Sequence, residues 1–282
     1  MNRLSRPIVL PLLLLALAAC RDEAPRAPDT RAPQAAVESP DPAPPREPVE
    51  LNDVVESDPR YIVGITYPPE VNRYPGLATE LKAYSDAARE DLMQAVAGLD
   101  ADGGSGTTMY DLALEYKVIA DTPEIFAVAA DGSSFTGGAH GAPLIARFVW
   151  LPQHDRLLTA DALVRDPEAW RTIARYVREQ LHAALSQRVD ADDLEPAERE
   201  RVVRSAGRMI DEGATPEADS FAEFEPVIGA DGRVVALRFV FPPYQVGPYS
   251  DGVQTVEVPA GVLLPHIVEQ YRPLFSDPSA SQ

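Results

Sequence analysis

The sequence predicts an α+β fold of two small modules, each an antiparallel or mixed sheet packed with helices. Three observations lead there. Apolar residues recur at every second place over residues 110–118, as on a half-buried strand. They recur at every third or fourth place over 77–96 and again over 170–184, as on helices with one buried stripe. Strand-like segments come in clusters with helical ones between them, which favours α+β over a doubly wound sheet.

The start of the chain reads differently. Met1 to Arg6 hold two positive charges and no negative one, and residues 7–19 are apolar. Thirteen residues fall short of the roughly 20 that a spanning helix needs and fit the apolar region of a secretory signal. The run closes on Leu17-Ala18-Ala19-Cys20, with Arg21-Asp22-Glu23 directly after it. This string resembles the bacterial lipobox. The resemblance implies a signal peptide of residues 1–19, acylation of Cys20 and anchorage in a lipid bilayer, each buried methylene adding about 0.8 kcal/mol. Arg21 stands where the inner-membrane retention signal has aspartate, so the implied destination is the outer membrane, on its periplasmic face. Cys20 is the single cysteine, which excludes an intramolecular disulfide and a four-cysteine zinc site.

Residues 20–57 then read as a lipidated, disordered tether. Pro25, Pro28, Pro33, Pro40, Pro42, Pro44, Pro45 and Pro48 fall in it and no aromatic residue does. Proline removes backbone donors, and nothing bulky is present to bury.

The body is expected from about residue 58. Residues 61–67 form a strand ended by Pro68-Pro69. A helix runs from about Pro75, with Leu77, Leu81, Tyr84, Ala88, Leu92 and Val96 on its stripe. Gly103, Gly104 and Gly106 mark a loose connection to the alternating strand at 110–118. Its neighbour covers 125–130 and turns at Asp131-Gly132, and another strand follows at 144–151. A second helix begins after Pro167, with Trp170, Ile173, Val177, Leu181 and Ala184 facing inward, and a shorter one spans 198–212. Residues 221–228 and 234–241 form a hairpin about the 229–232 turn. A short strand at 255–258 and a helical turn or two within 261–271 complete the body. The expected modules are 58–160 and 161–275, with a flexible tail at 276–282.

Composition narrows function. Of the 282 residues, 25 are Lys or Arg and 44 Asp or Glu, a net charge of -19. Loss of Arg3 and Arg6 with the leader makes it -21. Nucleic-acid binding needs the opposite balance, whereas a basic partner is attracted. No Walker loop, dinucleotide fingerprint, nucleophile elbow or His-Glu-x-x-His occurs, and the four histidines are scattered. The sequence thus points to no catalytic residue, metal or cofactor.

Two segments stand out. In Phe135-Thr-Gly-Gly-Ala-His-Gly141, Gly137 and Gly138 permit positive φ and hold His140 in the loop. The loop either contacts a partner or is a tight turn whose imidazole bonds nearby backbone. In residues 239–252, prolines stop a strand, and Tyr244 and Tyr249 follow in a loop. Tyrosine offers contact area and a hydroxyl at low entropic cost. Alternatively, Tyr244 seals the sheet edge.

Those segments, with Tyr67-Pro68 and the run from Phe241-Pro-Pro-Tyr244 through Gly247-Pro-Tyr249 and Gly252 to Val258-Pro259, resemble a known family. It is the paired DUF4163/DUF3298 ectodomain found in the anti-sigma factor RsiV and beside a deacetylase domain in certain peptidoglycan-modifying enzymes. The RsiV-like resemblance covers some 200 residues. It implies a DUF4163-like first module, a DUF3298-like second module, and binding of lysozyme, a small basic enzyme. Neither a deacetylase domain nor a cytoplasmic sigma-binding segment is expected from these 282 residues. The expectation is therefore a non-enzymatic envelope binding module for lysozyme-like enzymes or cell-wall components such as peptidoglycan. The residues for binding are Gly137, Gly138, His140, Tyr244 and Tyr249. The alternatives are a hydrolase of envelope polymers, drawing on Asp111, Glu115 or His140, and a structural or assembly lipoprotein.

Overall fold

Strand alternation and helical stripes build two sheets and three long helices in the computed structural model, which describes residues 49–101, 109–192 and 194–277. The leader, Cys20, the tether to residue 48, the glycines at 103–106 and most of the tail lie outside the described residues. Among the described residues no helix is long and apolar enough to cross a membrane.

The first sheet has six strands in sequence order: β1 (Val54–Asp58), β2 (Tyr61–Thr66), β3 (Tyr110–Asp121), β4 (Phe126–Phe135), β5 (Ala142–Leu151) and β6 (Arg156–Leu157). All neighbours are antiparallel except β2 and β3, which helix α1 (Pro75–Ala101) joins as a parallel pair. Along β3, Leu112, Leu114 and Tyr116 are buried while Ala113, Glu115 and Lys117 face water. They meet Leu77, Leu81 and Leu92 of α1 in a first core. Inside it, the Tyr67 hydroxyl donates to Ser85 Oγ at 2.6 Å and the Tyr116 hydroxyl donates to the Leu81 carbonyl at 2.9 Å, so these hydroxyls are paired, whereas Trp150 Nε1 in the same core is buried without a partner.

The second sheet is the meander β7 (Phe224–Ile228), β8 (Val234–Phe241) and β9 (Gln254–Pro259). Before it come a single turn α2 (Ala160–Leu163) and two long helices, α3 (Pro167–Ala191) and α4 (Pro196–Gly213). After it comes the turn α5 (Ala260–Leu263). Helix α3 starts where the Asp166 carboxylate accepts from Glu168 N at 2.9 Å and Pro167 takes the first helical place. The second core gathers Trp170, Ile173 and Val177 with Phe221, Phe239 and Phe241. Trp170 stacks on Phe221 at 5.3 Å.

The fold class is as the sequence predicts, a mixed α+β arrangement, but several details differ. The ordered chain begins before residue 58. Leu51 is buried, its N–H and carbonyl both bond to the Asn72 side chain, and β1 pairs with β2 from Val54 onward. Partners distant in sequence supply that order, and the proline-rich context hid it. Strand β4 runs straight through Asp131-Gly132 instead of turning there. Gly132 lies opposite Leu114, and a Cβ on it would run into the Ala113 carbonyl, so this glycine serves close strand approach. On α3, Leu185 is buried and Ala184 exposed. Each sheet stays on its own side of residues 160–161, yet Ala127, Val149 and Leu151 of the first sheet belong to the second core. The described residues form one compact unit.

Candidate functional site

Two loops carry the residues singled out by sequence. The first links β4 to β5. Gly137 and Gly138 take φ of 101° and 98°, a region that excludes most side chains, and so turn the chain back within six residues. His140 follows. Its Nδ1 lies 3.2 Å from the Gly141 carbonyl, an oxygen that can only accept, so Nδ1 carries the proton. In the neutral ring Nε2 is then an acceptor.

The second loop follows β8. Pro242 to Gln245 make a turn closed by Gln245 N donating to the Pro242 carbonyl at 3.1 Å. Pro243 suits its second place, but the third place demands positive φ and holds Tyr244 at 76°. Tyr244 N donates to the Gly247 carbonyl at 2.9 Å. The Gln245 side-chain amide donates to the Gly213 and Ser220 carbonyls at 3.0 and 2.9 Å, pinning the loop to the end of α4. Gly213 must be glycine there, since a Cβ would collide with the Gln245 carbonyl. The loop ends in a 3-10 turn, Tyr249–Asp251, held to α3 by Arg188 and Asp251 at 2.7 Å.

These loops meet. The Tyr244 hydroxyl donates to His140 Nε2 at 2.7 Å across 104 positions of sequence. The His140 ring stacks on Tyr249 with centroids 3.8 Å apart and planes 12° from parallel. Tyr244 and Tyr249 lie 5.7 Å apart. Tyr244 remains 53% exposed, so it does not seal the sheet edge. All five residues expected from sequence therefore share one patch, with the two glycines shaping the backbone and the three rings forming its surface. The imidazole bonds both a nearby carbonyl and the opposite loop. Of the carboxylates considered for hydrolysis, Glu115 pairs with Lys117 on the open face of β3, and the ring contacts of His140 are aromatic.

Sequence reasoning missed a buried polar seam between β5 and β7. Arg147 of β5 keeps 6% of its side chain exposed and bonds Glu225 Oε1 through Nε at 2.6 Å. Its other nitrogens reach Asp131 at 2.9 Å and the Ala146 carbonyl at 2.9 Å. The backbone N–H of Arg147, on the free length of β5, is accepted by Glu223 at 2.5 Å. Arg238 extends the chain from Glu225 to Glu257. Burial raises the Glu223 carboxyl from its ordinary value, and the Arg147 N–H and charge pull the other way. Burial likewise pushes the nearby Tyr84 hydroxyl up to about 12. One arginine inside the apolar run of β5 was the available signal.

Residues 162–261 match the family model described as protein of unknown function DUF3298. The chain carries a DUF3298 domain. That domain spans the second half of α2 through the first half of α5, so Tyr244 and Tyr249 belong to it while His140 comes from the preceding sheet. A solved DUF3298 family protein from Pseudomonas aeruginosa PAO1 is similar over 79% of this chain and 93% of its own, with a TM-score of 0.50 at 16% identity. A DUF3298 member from Bacteroides fragilis NCTC 9343 covers 78% and 92%, with a TM-score of 0.48 at 15% identity. No curated protein matches the chain. Identity at this level bears on the fold alone, a six-stranded sheet with helices placed beside the DUF3298 domain.

Proposed function

We propose that this chain is a lipid-anchored, non-enzymatic binding module of the bacterial envelope, attached through Cys20 at the periplasmic face of the outer membrane. In this reading residues 58–160 are a DUF4163-like module. Together with the DUF3298 domain they act as an RsiV-like receptor for a small basic protein of the lysozyme kind. The single observation that carries it is the convergence of His140, Tyr244 and Tyr249 from two separate loops into one exposed aromatic patch. A tyrosine held at positive φ and left half in water is costly for folding alone, and such outliers gather at binding surfaces.

Charge supports the partner class. Six bases and six acids within residues 1–48 cancel, so the whole net charge of -19 rests on residues 49–282. That field steers a cationic protein in and weakens with salt. The experiment is a titration of the unlipidated chain, starting at Arg21, with lysozyme at low ionic strength. Binding is expected to weaken with added salt and to fall about tenfold in Tyr244→Ala, as for a contact worth about 1.4 kcal/mol. A flat titration at low ionic strength overturns the lysozyme reading.

A further inference from the structure

The loop of Tyr244 and Tyr249 also lines a pocket of about 210 Å³ with α3 and α4. Its floor is Leu181 and Leu185 of α3, Ala206 and Ile210 of α4, and Val246 of the loop, all buried members of the second core. At its rim Arg188 meets Asp251, whose side chain keeps 17% of its surface in water. Interiors are packed to crystal-like density, so an open recess with such a floor lacks contacts that a guest atom can supply. An apolar cavity of about 150 Å³ accepts benzene. The volume here suits one aromatic or branched side chain.

The geometry points to this pocket as the anchor for one apolar side chain, flanked by a basic one, on the same protein that meets Tyr244 and Tyr249. Charge selects that occupant. Asp251 is paired with Arg188, so the rim itself is balanced, and the selection comes from the field of a body of net charge -19, which favours a basic flank over an acidic one. Continuity joins the two places, because Tyr249 and Asp251 share one 3-10 turn and Val246 is two residues from Tyr244. A buried anchor beside an aromatic patch is the arrangement that concentrates binding energy in an interface. The inference takes its partner from the reading above; the chemistry of the pocket stands apart from it.

The test uses two capped dipeptides, Arg-Phe and Glu-Phe, titrated into the unlipidated chain while the methyl resonances of Leu185, Ile210 and Val246 are followed. Arg-Phe is expected to move them saturably and to bind at least about threefold tighter than Glu-Phe at low salt. Ala184→Leu adds a side chain at the mouth from an exposed position, and Ala206→Leu fills the floor. Both are expected to abolish the shifts, and Ala184→Leu to weaken lysozyme about tenfold at an unchanged melting temperature. Methyls that ignore Arg-Phe overturn the pocket, whatever lysozyme does. Equal affinity for the two dipeptides overturns the charged selection. Unaltered lysozyme binding by a folded Ala184→Leu overturns the shared interface. If lysozyme ignores the parent chain, the receptor reading fails and the dipeptides still decide the pocket.

Discussion

Tyr244 occupies a turn position that glycine or asparagine usually takes, at φ of 76°. The left-handed region costs an ordinary residue about 1–2 kcal/mol. Tyr244→Ala and Tyr244→Gly lose the same ring and the same bond to His140, but only alanine keeps the backbone cost. The glycine variant is therefore expected to be more stable than the alanine variant by about 1 kcal/mol, measured by urea unfolding. Equal stabilities would show that the loop relaxes freely and that no strain is held there. At this scale the sequence was legible in part. Paired glycines announced a loop able to take positive φ, whereas Tyr244 and Tyr249 left open whether they make exposed surface or seal the sheet edge. Nothing local announced that Tyr244, and not a glycine, would take the strained place.

The end of α4 and the loop after β8 act as one element. Gln245 donates to the Gly213 and Ser220 carbonyls, and the Gln245 carbonyl leaves no room for a Cβ on Gly213. Gly213→Ala must push the loop away from the helix. It is expected to destabilise the protein by about 2 kcal/mol or more, and to shift His140 and Tyr249 resonances although neither residue is altered. Unmoved resonances would show that the loop holds its place without this contact. Elements with a full apolar period were legible: α1, α3 and β3 follow the spacing of their apolar residues. Strand β1 was not, because its order comes from Leu51 on Asn72 and from pairing with β2. Gly132 misled for a related reason. A glycine in sequence signals a turn and a close approach alike, and only the neighbour at Ala113 separates them.

Across the whole molecule, a buried polar seam joins the six-stranded sheet to the DUF3298 domain. Arg147 and Glu225 are both largely out of water, and burial alone disfavours each. Their mutual geometry, with Asp131, Arg238 and the Ala130 and Ala146 carbonyls, makes the seam tolerable and directional. Glu223 gives it a pH dependence. Its carboxyl is raised in the folded chain and ordinary in the unfolded one, so the folded state binds more protons over the interval between them. Stability therefore falls as pH rises through that interval. Glu223→Gln keeps an acceptor for the Arg147 N–H and removes the ionisation. Its stability relative to the parent is expected to climb across the same interval and level off above it, read from urea midpoints. Parallel pH curves for the two proteins would remove Glu223 from the account.

The sequence by itself determined the fold class, the long helices and the acidic body, and it singled out the five residues of the patch without deciding between surface and structural roles, because periodicity, charge and backbone permissiveness are local properties. Tertiary structure alone decided that the Gly-Gly-Ala-His loop faces the two tyrosines, that the second core draws on both sheets, and that Arg147 is buried rather than solvated. Each of those depends on which surfaces of distant segments meet, as when Tyr244 finds His140 104 residues away. The pattern within either segment carries no information about its partner.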